Sequence, residues 1–452
     1  MIYYALISIL ISLVFLTQFA ELWYLKNNLK RRDKNRNIGN NNNYNKLSFT
    51  CSKPCPSNLS LPTLSDRPKL AFLEPDLKRF MKWSDGKGRI MALKRALSKR
   101  SFDEIYQEVD DYVDDFWQNR INIQQVSDVN KYEEKIDSKL SQNQIIKNLQ
   151  MVSDDLLKLI NDDDDSKLFK TVPPIFHYTW FSCNRSFKLY HFLSVLSILK
   201  AEANILSNFE IWFHTDCLPT NSSFWDLLKK LIVNYSNLKK FRLVILDPET
   251  SNRESNPNFT VWDRQLANIK HYSDVYRLMV LLKFGGIYLD NDIIQLKSIN
   301  NFLSTKVPIL GEESIISVCN GFIISPSPSL SVAPVSNNRI LKKWLFEYKY
   351  YSHDENLATE PFSVMKIWAL WRQYPKEIQV EHANIIRPFL NLDKYVFREY
   401  FDWRNSYNLH FSERLIETKY KGLYEDIEDI QCANNTFGEV SRRLLFGDSN
   451  FC

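Results

Sequence analysis

The chain has 452 residues, of which 44% are hydrophobic and 25% are charged, so it is long enough and apolar enough for one large folded domain or two ordinary ones. Its formal net charge is +5, but the basic segment 26–36 alone carries that charge and leaves the remainder close to neutral. The folded part therefore lacks the basic surface of a nucleic-acid-binding protein, and no nucleic-acid partner is expected.

Residues Ile2 to Ala20 form a run of 19 uncharged, mostly apolar residues. A helix of that length rises about 1.5 Å per residue and is about long enough to cross a bilayer core, so residues 1–24 are predicted to be a transmembrane signal anchor. A cleaved signal peptide is the alternative, although the run lacks a basic segment in front and a small-x-small cleavage site. Basic residues follow the span, and the positive-inside rule would then leave the body of the chain cytoplasmic.

Sequons and cysteines favour the secretory lumen instead. The chain has six Asn-X-Ser/Thr sequons, at Asn58, Asn184, Asn221, Asn234, Asn258 and Asn434. Its seven cysteines are compatible with two or three disulfides and one spare thiol, and none forms a cluster with zinc spacing.

The next segments change in character along the chain. Residues 25–60 are polar and asparagine-rich, which is typical of a flexible stem. Residues 61–170 are predicted to form a helical accessory region, with helices at 102–117 and 145–160. The aspartate run 162–165 is interpreted as a solvated linker rather than a calcium site.

From residue 171 onward, short apolar runs alternate with amphipathic helices. Strands are predicted at 175–181, 209–214 and 242–246, and helices at 188–204 and 224–237. Such alternation indicates an α/β domain over 171–452 with a mostly parallel sheet flanked by helices, and ligands then bind beyond the carboxyl ends of the strands.

The most informative segment runs from Ser273 to Asp292. Apolar residues at helical spacing predict a helix that begins at Ser273 as its N-cap, and Gly285-Gly286 fits the left-handed turn that ends it. Ile287–Leu289 is then a short buried strand that delivers Asp290 and Asp292. In extended backbone these two carboxylates point the same way and could bind one Mn²⁺ or Mg²⁺, whereas a solvated turn is the alternative.

These motifs resemble those of a known enzyme family. Ser-Asp-x-x-Arg at 273–277 and Gly-Gly-Ile-Tyr-Leu-Asp-x-Asp at 285–292 resemble the family 32 glycosyltransferases, whose sugar-binding region contains the Asp-X-Asp motif. Val172–Phe181 resembles the family's opening strand, 193–199 its first helix, and Asn320-Gly321-Phe322-Ile323 its later strand. The resemblance covers 172–325 well and implies a nucleotide-sugar-binding domain of the GT-A type.

The resemblance also implies roles for individual residues. Asp290, Asp292 and Arg277 would be catalytic, and Asp290 and Asp292 would hold the metal. The nucleotide-sugar donor would be bound by Trp180 stacking on the base and by Asp274, Arg277, Tyr288 and Asp290. The resemblance implies transfer of a hexose from a nucleotide-sugar, a UDP-sugar in the first instance, with retention to a glycolipid or glycoprotein. The apolar span and the sequons predict a single-pass Golgi membrane protein with a lumenal catalytic domain.

Two further positions are compared with the family's late segments. His410, in Leu409-His410-Phe411, matches a late-strand histidine that could complete the metal shell, and a structural histidine is the alternative. Thr359-Glu360-Pro361 has Glu where relatives have Gly. Trp368, Trp371 and Tyr374 are interpreted as core rather than as an acceptor platform.

Two other functions compete with a transferase. A glycoside hydrolase would need carboxylates on both sides of the scissile bond and no metal, which fits the paired aspartates less well. A non-catalytic glycosylated membrane protein could use the same fold as a binding module.

Overall fold

The computed structural model of the protein describes residues 100–125 and 171–446, apart from 182–184, 203–204, 207, 220–221, 233–237, 247–259, 263, 267–268, 315–316, 329–337, 352–361 and 383–391. The predicted anchor, the stem, the helix at 145–160, the aspartate run and segment 359–361 lie outside the described residues. No helix in the described part of the chain has the length and apolar character that crossing a bilayer requires.

Helices and strands alternate through much of the described chain. The helices are α1 Phe102–Arg120, α2 Leu189–Glu202, α3 Ser223–Ile232, α4 Ile269–Phe284, α5 Arg339–Glu347, α6 Val364–Gln373, α7 Leu392–Phe397, α8 Glu413–Thr418, α9 Ile427–Cys432 and α10 Thr436–Phe446. The strands are β1 Ile121–Gln125, β2 Ile175–Trp180, β3 Phe209–Thr215, β4 Leu238–Leu246, β5 Thr260–Val261, β6 Arg264–Gln265, β7 Gly286–Leu289, β8 Ile293–Gln295, β9 Ile309–Ser314, β10 Ser317–Ser325, β11 Gln379–Glu381 and β12 Asn408–His410.

Eight strands form one mixed sheet in the order β1-β4-β3-β2-β7-β10-β9-β11. The central strands β4, β3, β2 and β7 are parallel neighbours. Strands β1 and β10 run antiparallel on either side of them. The structure therefore confirms the α/β class and a mostly parallel centre.

The two faces of the sheet bury separate apolar cores. Phe176, Tyr178 and Trp180 of β2 belong to the core that includes helix α2. Ile175 belongs to the core that includes helices α1 and α4. Successive side chains of a strand point to opposite faces, so β2 contributes to both sides of the sheet.

The predicted boundary at residue 171 does not separate two structural parts. Strand β1 pairs antiparallel with β4, so a segment from the accessory region forms an edge of the central sheet. Trp117 of α1 is fully buried, and its indole Nε1–H donates to the carbonyl of Met279 at 3.3 Å. Asp110 and Lys342 also form an ion pair at 2.7 Å. Helix α1 and strand β1 are thus part of the same folded unit as the later strands.

Most predicted elements are present, with shifted ends. The prediction that Ser273 caps a helix is wrong, because α4 already begins at Ile269. Residues 269–272 are compatible with a helix, and Ser273 lies in the second turn. Trp368, Trp371 and Tyr374 are partly buried against the core, as predicted.

The structure describes the bonding state of two cysteines. Cys217 is disulfide-bonded. Cys319 is a buried free thiol among the described residues, with its Sγ 3.9 Å from Nδ1 of His410.

Candidate active site

A two-glycine turn delivers strand β7 to the site. Gly285 and Gly286 have φ of 67° and 94°, as predicted for a left-handed helix end, and this is a conformation that other residues rarely adopt. A Cβ on Gly286 would lie 2.7 Å from the carbonyl oxygen of Ile175 in β2. The glycines therefore allow helix α4 to reverse directly into a strand that lies close beside β2.

Asp290 and Asp292 follow β7 in a turn, not in the extended backbone that the sequence suggested. The amide of Ile293 donates to the carbonyl of Asp290 at 3.1 Å, which closes the turn. The amide of Asp290 itself donates to the carbonyl of Gly321 at 2.7 Å. The two carboxylates still converge, and the turn is what brings them together.

Asp290, Asp292 and His410 form a candidate metal-ligand cluster. One ligand atom from each lies within 4.8 Å of the other two. His410 Nε2 lies 3.1 Å from Asp292 Oδ1, and these two side chains are 13% and 16% exposed. Burial raises the pKa of Asp292, but the charge and hydrogen bond of His410, with the charge of Arg185, bring it below its ordinary value. Asp292 is thus held as a carboxylate.

The chemistry of this cluster fits a divalent cation. Two carboxylates supply hard oxygen donors, and an imidazole nitrogen is a common ligand of divalent transition-metal ions. All three side chains keep some exposure, so a ligand can reach them. The residues present are therefore suited to hold a divalent metal ion.

The segment that carries His410 wraps around Asp292. The amide of Phe411 donates to the Asp292 carbonyl at 3.1 Å, and the amide of Glu413 donates to Asp292 Oδ2 at 2.8 Å. Strand β12 also pairs antiparallel with β8, which directly follows the turn. Glu413 was not singled out from the sequence, and its spacing from Asp292 gives no signal that could have found it.

Arg277 lies on the opposite side of Asp290 from His410 in the contact network and pairs with two carboxylates. Its guanidinium Nη2 lies 3.0 Å from Asp274 Oδ1, and Nη1 lies 3.3 Å from Asp290 Oδ1. Nη1 also donates to the carbonyl of Asn320 at 2.6 Å. Burial opposes the charge, but the two carboxylates raise the pKa of Arg277 above its ordinary value. Arg277 is 4% exposed, so in this structure its contacts are with protein groups.

Asp274 and Tyr288 complete this buried network. Burial raises the pKa of Asp274 to about 6, opposed by Arg277 and reinforced by the charge of Asp290. Asn320 donates to Asp274 Oδ1 at 2.6 Å. The Tyr288 hydroxyl donates to Asp290 Oδ1 at 2.9 Å, and the Arg277 guanidinium carbon lies 4.6 Å from the Tyr288 ring centre. These predicted donor-binding residues are therefore brought together around Asp290.

Gly321 lies directly against the Asp290 carboxylate and leaves room for it. A Cβ at this position would lie 2.6 Å from Asp290 Oδ2 and 3.3 Å from Cε1 of His410. Any larger residue would therefore displace the Asp290 carboxylate and crowd the His410 ring. From the sequence, Gly321 is identified only through the family resemblance, which gives it no role.

Trp180 is part of the core in this structure. It is 1% exposed, and the guanidinium carbon of Arg185 lies 4.9 Å from the centre of its ring. Its ring also packs against Phe187 and His191. Stacking of Trp180 on a nucleotide base stays a prediction, and in this structure the ring is covered by its protein neighbours.

Two buried histidines support the glycine turn from behind. His177 Nε2 lies 3.0 Å from the Gly285 carbonyl, which can only accept, so Nε2 carries the proton. His177 Nδ1 must then accept from His214 Nε2 at 3.0 Å, and His214 Nδ1 accepts from the Tyr276 hydroxyl at 2.8 Å. Burial lowers the pKa of His177 to about 3 and that of His214 well below its ordinary value. Both rings are therefore neutral.

Comparison with known proteins identifies the segment that contains most of this site. Residues 180–308 match the family model described as "Glycosyltransferase sugar-binding region containing DXD motif". Glucan organizing enzyme 1 of Cryptococcus neoformans var. grubii is 30% identical over 179 residues. That match spans 38% of this chain and about two fifths, 40%, of the relative's own length.

Several solved glycosyltransferases show a weaker likeness. PaToxG glycosyltransferase is 17% identical, with 51% of this chain and 78% of that chain covered and a TM-score of 0.31. The galactosyltransferase LgtC, solved with donor and acceptor sugar analogs, is 11% identical, with 59% and 95% covered and a TM-score of 0.32. GlyE of Streptococcus pneumoniae is 8% identical, with 62% and 61% covered and a TM-score of 0.34. At these TM-scores the likeness does not by itself establish a common fold.

Proposed function

We propose that the chain is a metal-dependent hexosyltransferase of the GT-A type, because residues 180–308 match the model of the glycosyltransferase sugar-binding region that contains the DXD motif. It moves a hexose from a nucleotide-sugar donor, a UDP-sugar in the first instance, to a glycan acceptor on lipid or protein. Retention of the anomeric configuration is part of the proposal.

The observation that carries the proposal is the cluster of Asp290, Asp292 and His410 at the end of β7. It lies beyond the carboxyl end of a central parallel strand, where ligands of such sheets bind. Mn²⁺ held by these residues would stabilise the charge that develops on the leaving diphosphate.

The remaining site residues have distinct tasks in this proposal. Arg277 orients Asp274 and Asp290 at 3.0 Å and 3.3 Å, so that their free oxygens can accept hydrogen bonds from donor-sugar hydroxyls. Tyr288 fixes Asp290 through its hydroxyl at 2.9 Å. A rigid arrangement of this kind lowers the cost of ordering the site when the donor binds.

We also propose a cellular setting, on the sequence alone. An uncharged run at 2–20 and six sequons support a single-pass Golgi membrane protein with a lumenal catalytic domain. The printed name of the Cryptococcus relative makes glucans an acceptor class to be tested beside glycolipids and glycoproteins.

Release of nucleoside diphosphate from UDP- and GDP-sugars, measured with Mn²⁺ and with a chelator, tests the proposal. We expect turnover of one donor that requires Mn²⁺ and that glucan or glycoprotein acceptors increase. Donor binding without turnover would favour a non-catalytic binding module. Metal-independent cleavage of glycosides, with no use of nucleotide sugars, would favour a glycoside hydrolase.

A further inference from the structure

Glu413, at the start of helix α8, links the metal-ligand cluster to residues 185–191, which lie just before helix α2 and in its first turn and are called the α2 segment below. Its backbone amide donates to Asp292 Oδ2 at 2.8 Å. Its side-chain Oε1 accepts from the Tyr190 hydroxyl and from His191 Nε2, each at 3.0 Å. Its Oε2 forms an ion pair with Arg185. One residue therefore contacts a candidate metal ligand with its main chain and the α2 segment with its side chain.

The direction of these hydrogen bonds is fixed. The backbone amide of Lys188 donates to His191 Nδ1 at 2.9 Å, so that nitrogen is an acceptor. Burial lowers the pKa of His191 well below its ordinary value, so the ring is neutral and Nε2 carries the proton that it donates to Glu413. Arg185 Nη2 lies 3.2 Å from the same Nε2, and since both are then donors, this contact is not a hydrogen bond. His191 is fully buried, and Glu413 is 14% exposed. Three donors from the α2 segment therefore hold one carboxylate in place.

The backbone just before Glu413 is strained. Ser412 has φ 58° and ψ 96°, a conformation that residues other than glycine adopt only when their surroundings enforce it. On one side of Ser412, the Phe411 amide is bonded to Asp292. On the other side, the Glu413 carboxylate is held by Arg185, Tyr190 and His191. Without that anchor the segment can relax, and the position of His410 and of the Glu413 amide against Asp292 is then no longer defined.

We propose that Glu413 is a positioning residue for the metal site. Its carboxylate, held by Arg185, Tyr190 and His191, fixes the strained segment that presents His410 and the Glu413 amide to Asp292. Glu413 is not a member of the ligand cluster, so metal affinity depends on a side chain that does not bind the metal. The inference rests on the metal site of the proposed function.

The same contacts couple metal binding to the α2 segment. Coupling between two parts of a protein is reciprocal in free energy. If an ordered α2 segment strengthens metal binding, bound metal must stabilise the ordered α2 segment by the same amount. Mn²⁺ should therefore slow amide hydrogen exchange at Lys188, whose amide is bonded to His191.

Electron paramagnetic resonance titration of the full chain with Mn²⁺ alone tests the inference without any need for turnover. Glu413→Ala should weaken Mn²⁺ affinity about tenfold or more, in line with the loss of groups that orient metal ligands. Tyr190→Phe keeps the ring and removes one of the three donors, so a loss of roughly threefold is expected. The matched control is Glu417→Ala on the same helix, where Glu417 is 46% exposed and 3.9 Å from Lys188, and no loss is expected.

Wild-type affinity in a folded Glu413→Ala protein, with unchanged exchange protection at Lys188, would overturn the inference. If the Glu413→Ala protein does not fold, the Mn²⁺ affinity of the Tyr190→Phe protein is the test. A wild-type Mn²⁺ affinity of Tyr190→Phe would then overturn the inference. Asp292→Asn distinguishes this failure from failure of the proposed function. If Asp292→Asn also binds Mn²⁺ as the wild type does, the metal site itself is wrong.

Discussion

His410 Nε2 lies 3.1 Å from Asp292 Oδ1. Of these two residues, only Asp292 lies within residues 180–308, which match the family model. Strand β12 brings His410 there by pairing with β8, with Leu409 opposite Ile294. The candidate metal site is therefore completed by a part of the chain that the family match does not reach.

Gly321→Ala should weaken metal binding although it removes no ligand. The added Cβ would lie 2.6 Å from Asp290 Oδ2, so the carboxylate must move. We expect Mn²⁺ affinity to fall about tenfold or more, as for other changes that misplace a ligand. Titration with Mn²⁺ and thermal unfolding, measured side by side, separate this effect from a loss of fold. Unchanged affinity would show that the position of Asp290 is not critical.

Arg277→Lys should not preserve the site. The guanidinium contacts Asp274, Asp290 and the Asn320 carbonyl at once, whereas a lysine ammonium is a single point of charge. A lysine keeps the positive charge but cannot contact both carboxylates, so one buried carboxylate loses its partner and the free energy of unfolding should fall by about 3 kcal/mol. Denaturant unfolding measures this, with the exposed Arg372→Lys as control. Wild-type stability and donor affinity in the Arg277→Lys protein would contradict the assignment.

Acid should destabilise the fold through His177 and His214. The pKa of each is lowered in the folded state, so the stabilisation is present above about pH 6.5 and is lost as the pH falls below that value. Each such histidine adds a slope of up to about 1.4 kcal/mol per pH unit to the free energy of unfolding. Unfolding between about pH 5 and 6.5 should therefore show a smaller slope for His214→Gln.

The exposed His382 offers the control for this slope, because His382→Gln removes a histidine that is not buried. Equal slopes for wild type, His214→Gln and His382→Gln would mean that His214 is not held neutral in the folded protein.

A protein shortened to residues 171–452 should be less stable than one that begins at residue 60. The shorter chain lacks Trp117, which is fully buried, and lacks β1, so it exposes the edge of β4. Loss of a buried tryptophan alone typically costs about 3–5 kcal/mol. Donor hydrolysis and unfolding of the two proteins test this. Equal stability would mean that α1 and β1 contribute little to the folded unit.

The sequence predicted the local elements well because their signals are local. Alternating apolar runs placed β2, β3 and α2, and the two glycines placed the turn before β7. The start of α4 was missed at Ser273, since a capping residue inside a helix-compatible segment does not mark an end.

Contacts between distant segments could not be predicted in the same way. The resemblance named His410 as a candidate ligand, but nothing in the sequence linked Glu413 to Asp292 or Trp117 to Met279. The burial of Trp180 was missed for a similar reason. An aromatic residue at the end of a strand gives no sign of which groups will cover its ring.

The most direct test of the metal assignment is the affinity for nucleoside diphosphate with and without Mn²⁺, measured with turnover for wild type and Asp292→Asn. Asp226→Asn serves as control, because Asp226 is 55% exposed and pairs with Lys229 in the same helix. We predict that Mn²⁺ strengthens binding to wild type and to Asp226→Asn but not to Asp292→Asn, whose turnover falls on the order of 10²-fold or more. Metal-dependent binding and wild-type turnover in Asp292→Asn would contradict the account.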